Sequence, residues 1–72
     1  MNNNKLIRMA NQIGGFFQSM PNHDEALAGV VNHIRNTWEP RMRQNLREHI
    51  QTHGDSELSP LLKEALPRIL AE

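Results

Sequence analysis

The sequence predicts an all-α fold, a small bundle of three to four short amphipathic helices. Three observations predict it. Apolar residues recur at spacings of three and four in four separate stretches. Residues that start or stop helices, among them Asn22, Pro40, Gly54 and Ser59-Pro60, fall between those stretches. No stretch alternates with period two over a strand's length, and β-branched residues are few.

The first helix is expected near residues 4–18. Leu6, Met9, Ala10, Ile13, Phe16, Phe17 and Met20 read as its apolar face, and the asparagines at 2–4 suit a frayed end or an N-cap. Gly14-Gly15 inside it costs about 1 kcal/mol per glycine relative to alanine. Two readings fit: packing of Phe16 and Phe17 carries the helix through, or a neighbouring helix needs close approach. Met20-Pro21-Asn22 ends it, because the residue before proline is pushed out of the α region. Asn22 and Glu25 then form a capping box for a second helix near 23–38, with Leu27, Val30, Val31, Ile34 and Trp38 as its stripe. Pro40 opens a third helix near 40–53 at a position where its missing N–H does no harm. Met42, Leu46 and Ile50 carry that stripe, and Gly54 stops it. Ser59-Pro60 starts a fourth helix near 60–70 through Leu61, Leu62, Ala65, Leu66, Ile69 and Leu70. Pro67 removes the bond to the Lys63 carbonyl and crowds that turn, so a kink or an end near Leu66 is expected.

Seventy-two residues make one domain, 1–72, and a chain this short is marginally stable alone. It has no cysteine, hence no disulfide and no thiolate metal site. A partner surface is the remaining route to stability. Eight basic and eight acidic residues cancel, so no net field draws the chain to nucleic acid or membrane. The apolar runs are too short to cross a bilayer, the N-terminal stretch lacks a signal-peptide pattern, and a cytoplasmic location is expected.

His49 and His53 are four apart on one helix, a spacing that can hold a metal. The intervening residues carry no glutamate, and neither His23 nor His33 is placed as a third ligand, so no metal site is expected. The plain reading is two half-exposed histidines flanking the third stripe. Arg35, Arg41, Arg43 and Arg47 gather in a chain of zero net charge, and arginine favours bidentate contact with carboxylate or phosphate. A docking patch and a solvated face paired to Glu39 and Glu48 stand level. Trp38 ends the cleanest stripe, which assigns it to the core, with an interface anchor as the alternative. Met9, Met20 and Met42 read as core gap-fillers. No phosphate loop, cysteine nucleophile or carboxylate pair supports catalysis, and no catalytic or cofactor-binding residue is assigned.

The runs Lys5–Ile13, Phe16-Phe17, Gly29–Ile34, Trp38–Arg43 and Leu58–Leu66 resemble the delta subunit of NAD-dependent formate dehydrogenase over nearly the whole chain. The Arg8–Ile13 and Trp38-Glu39-Pro40-Arg41-Met42-Arg43 runs are the specific ones. Two departures stand out: an aspartate is expected where Glu39 stands, and a more helix-favouring pair where Gly14-Gly15 stands. The resemblance implies a non-catalytic subunit of a cytoplasmic bacterial complex. That complex oxidises formate with a molybdenum or tungsten pterin, iron–sulfur clusters and FMN, and passes electrons to NAD. No cofactor is expected in this chain. The partners implied are the catalytic subunit and a maturation chaperone, and the isolated chain has the option of self-association. The role implied is assembly, maturation or stability of the complex. Arg41, Arg43 and Arg47 are the expected docking residues, with Pro40 fixing the helix start and Trp38 holding the corner from inside. The alternative is a small nucleic-acid-binding or regulatory module, with a helix-turn-helix drawn through residues 24–53; zero net charge and the lack of a basic arm count against it.

Overall fold

A computed structural model describes residues 3–71. Four helices account for the regular structure: α1 Asn3–Gln18, α2 His23–Thr37, α3 Pro40–His53 and α4 Pro60–Ile69. There is no strand among the described residues. Asn2, a candidate cap for the first helix, lies outside them.

α1 runs through both glycines, and each has a different reason to be there. A Cβ on Gly14 would sit 2.1 Å from Leu62 Cδ2, so α4 approaches α1 at a distance only glycine allows. Gly15 faces open space. Close approach explains the first glycine, and the other reading fails for Phe16: its side chain is 72% exposed rather than part of the apolar face. Gly14 and Phe16 are two residues apart, about 200° around a helix, so the residue that touches α4 turns Phe16 away from it. Phe17, Met9, Ile13 and Met20 are partly buried against the core.

Asn22 caps α2, its Oδ1 accepting from the Glu25 N–H at 2.9 Å, and Asp24 and Glu25 sit in the favourable first turn. α2 stops at Thr37, one residue short of the expectation, because Trp38 turns extended ahead of Glu39-Pro40. Pro40 starts α3, and Glu39 at its N-cap makes no side-chain capping bond. Gly54 ends α3 at φ 80°, ψ −176°, a conformation a side chain would strain.

α4 decides against one of the two consequences expected of Pro67. The helix does not end near Leu66 but continues past the proline to Ile69. Lys63 and Pro67 are both exposed, so water can take the carbonyl that the proline leaves without a partner, and the ring meets no packed neighbour there.

α1 is in contact with each of the other three helices, and α2 also packs along α4. Leu6, Val30, Ile34, Leu46, Leu62 and Ile69 are the largest side chains wholly removed from water. Trp38, at 5% exposure, closes the α2–α3 corner from inside this core. Met42 and Ile50 pack against it from α3.

Candidate partner-binding site

Two surface features stand apart from the core. The first is built on the arginines. Arg35 reaches from α2 to the end of α4, where its Nη1 donates to the carbonyls of Arg68 and Ile69, each at 3.1 Å, and of Ala71 at 2.5 Å. Arg47 Nη2, from α3, donates to the Leu70 carbonyl. These are the carbonyls a helix end leaves without partners, and a cation there also suits the helix dipole. Two arginines from different helices thus cap α4, although they lie 23 and 33–36 residues from their acceptors.

Between them lies a cleft of about 310 Å³ walled by Arg35, Pro40, Arg43, Gln44, Arg47 and the Ile69–Ala71 segment. Arg43 is half-buried, and its Nε is closed off from water without a hydrogen-bond partner. Among the described residues none of these arginines forms an ion pair; the ion pairs present are His23–Glu64 and His49–Glu57. Glu48 accepts from Gln44 instead, at 3.4 Å. Of the residues expected to dock, Arg43, Arg47 and Pro40 therefore come together at this cleft, Arg41 is exposed outside its lining, and Trp38 is buried behind the corner.

The second feature is a groove of about 330 Å³ lined by Gln12, Ile13, Phe16, Phe17 and His33. Phe16 and Phe17 meet edge to face, centroids 5.1 Å apart, and the Phe17 ring lies over Gly29, where a Cβ would come within 2.6 Å of it. Sequence reasoning placed both rings in the core. The signal that separates them is rotation: once Gly14 marks the buried direction, Phe16 is on the far side.

The histidines are arranged for structure. His49, expected half-exposed, is 7% exposed, and its Nε2 lies 3.0 Å from Glu57 Oε1. Asn11 holds the same loop from α1, donating to the Glu57 carbonyl at 3.0 Å and accepting from the Ser59 N–H at 2.9 Å. The His53 ring lies against that of His49, tilted, with centroids 4.8 Å apart. No group of three potential ligands comes together among the described residues, and the chain lacks the thiolates an iron–sulfur cluster needs. Without cysteine the chain does not fit such a cluster. No helix among the described residues is long and apolar enough to cross a membrane.

The family model for the NADH-dependent formate dehydrogenase delta subunit, FdsD, matches residues 5–66. The chain belongs to that family. The match runs from Lys5 in α1 to Leu66 in α4 and so takes in the two specific runs, the aromatic groove and the Asn11 clamp, while the Ile69–Ala71 wall of the arginine cleft lies beyond it. No curated protein and no solved structure matches the chain. Delta-subunit membership links it with a formate dehydrogenase complex.

Proposed function

We propose that this chain is a non-catalytic accessory subunit of a cytoplasmic NAD-dependent formate dehydrogenase. It docks on the catalytic subunit and acts in assembly, maturation or stability of the complex. The observation that carries the reading is the family match across residues 5–66. The pterin metal, the iron–sulfur clusters and FMN belong to other subunits in this reading.

The surface supports docking in a specific way. Arginines beside apolar side chains, with an exposed aromatic elsewhere on the molecule, are the residue types that dominate binding energy at protein interfaces. Arg41, Arg43 and Arg47 provide the charged part of the contact and Phe16 an apolar part. The nucleic-acid reading loses support, because Arg35 and Arg47 are turned onto α4's own carbonyls rather than spread as a phosphate-tracking stripe.

The test is a strain lacking this subunit. Formate dehydrogenase isolated from it is expected in lower amount or with lower metal loading, with normal turnover per bound metal. Fully metallated enzyme that fails to turn over formate overturns the accessory role, since the subunit then takes part in the chemistry.

A further inference from the structure

We propose that the cleft between α2, α3 and the end of α4 is a socket for one carboxylate, supplied by an aspartate or glutamate side chain of the catalytic subunit, with Arg43 as the residue that reads it. The proposal rests on the docking reading and gives that contact its chemistry.

The charge inventory is one-sided. Among the described residues, three guanidinium groups line the cleft and no acid does. The α4 carbonyls offset only part of this, since a helix end carries roughly half an elementary charge. A carboxylate supplies the missing sign. Arg35 and Arg47 are held in place by their bonds to the α4 carbonyls, so little freedom is left for an incoming anion to remove from them. Those bonds use one nitrogen of each, while a guanidinium has five N–H donors in a planar fork. Arg43 has no such anchor. Its Nε is shut from water and unpaired, a costly state for a charged group, and turning the guanidinium toward an anion in the cleft relieves it.

The shape of the cleft selects the occupant. Pro40, Ile69 and Leu70 give it apolar walls beside the arginines, which suit the methylene stem of an acidic side chain. A single cleft with its arginines gathered in one place matches one carboxylate, whereas a nucleic-acid backbone needs a succession of phosphate contacts.

Two measurements test this. In the first, the arginine Nε–H signals of the ¹⁵N-labelled full chain are followed by NMR during titration with sodium acetate, against sodium chloride at equal ionic strength. Acetate is expected to shift the Arg43 signal saturably and chloride to leave it in place; equal shifts overturn the socket. A Glu72→Gln chain that binds acetate about tenfold more tightly than wild type shows that the chain's own acid competes for the cleft, and overturns the partner assignment. In the second, assembly with the catalytic subunit is compared for Arg43→Gln, Arg43→Lys, Arg41→Ala and Phe16→Ala, each first shown to fold by circular dichroism. Arg43→Gln is expected to weaken the complex at least about thirtyfold. Arg43→Lys keeps the charge but loses the fork, and recovers only part of that. Wild-type assembly by Arg43→Gln, with Arg41→Ala or Phe16→Ala impaired, removes the socket and leaves the docking reading standing. Wild-type assembly by all four removes both.

Discussion

Five of the ten residues of α4 are buried, against two of the fourteen in α3, and one of those two is a histidine. The helices are consecutive in the chain, and both pack against α1, yet different forces hold them. α4 is driven into the groove between α1 and α2 by Leu61, Leu62, Ala65, Leu66 and Ile69. α3 packs on α1 and gives Leu46 to the core, with Met42 and Ile50 half-covered, and is tied down by the His49–Glu57 and Arg47–Leu70 contacts. A helix held mainly at its edges by polar groups keeps more of its surface for other molecules. That is where the sequence puts Arg41, Arg43 and Arg47.

The largest effects separate the two helices. Leu62→Ala and Leu46→Ala each remove a wholly buried leucine, a change that costs about 2–5 kcal/mol in well-packed cores. Leu62→Ala is expected at the upper end, with loss of cooperative unfolding in urea, because its side chain also fills the α1 contact at Gly14. Leu46→Ala is expected to act locally. Amide exchange should accelerate in α3 while α1, α2 and α4 stay protected. Equal loss of protection in all four helices after Leu46→Ala removes the distinction between the two regions.

Gly14→Ala probes the α1–α4 seam directly. Alanine is the better helix former, but its Cβ collides with the end of the Leu62 side chain, which is wholly buried. A net loss of about 1–3 kcal/mol is expected, the usual size for overpacking. Denaturation showing a more stable protein means that the seam yields, and that α4 is held less tightly than its burial indicates.

Asn11→Ala cuts the clamp on the loop that joins α3 to α4. It removes two hydrogen bonds and leaves the part-buried Ser59 N–H without its acceptor, at an expected cost of about 1–3 kcal/mol. Proteolytic nicking within residues 54–59 should rise before the helices unfold. Unchanged cleavage there means the loop is held by Leu58 burial alone.

Helix positions were legible in the sequence because each boundary has a local cause: Asn22 with Glu25, Pro40, Gly54 and Ser59-Pro60 act within one turn of themselves. Of the two expected consequences of Pro67, the end near Leu66 does not occur, because whether the helix can run on depends on which side of it faces water, a tertiary fact. Phe16 was misread for a related tertiary reason. Seven apolar residues on α1 exceed the arc its neighbours can cover, and the chain alone does not say which one is left out until α4 selects Gly14. The arginine cluster was visible as composition, but its division was not. Arg35 and Arg47 meet carbonyls more than 20 residues away, and no spacing rule links them. The outcome is a cluster part structural and part available, where the sequence offered only one or the other.

The smallest effect calibrates the seam. Gly15→Ala adds a methyl group into open space, next to a residue where the same methyl strikes Leu62. Both sites are mid-helix in α1, so both gain the same improvement in helix propensity, about 0.5–1 kcal/mol. At Gly15 nothing opposes it, and the variant should be more stable than wild type by that amount in urea denaturation. Subtracting this gain from the Gly14→Ala result isolates the packing penalty at the α1–α4 contact, free of propensity. The subtraction is sound only if the two sites share a backbone state, which matched helix content by circular dichroism would establish. A Gly15→Ala variant less stable than wild type means that α1 needs glycine flexibility in its own right. The Gly14 effect could not then be assigned to α4, and the contrast between a tightly seated α4 and a loosely tied α3 would rest on Leu62 and Leu46 alone.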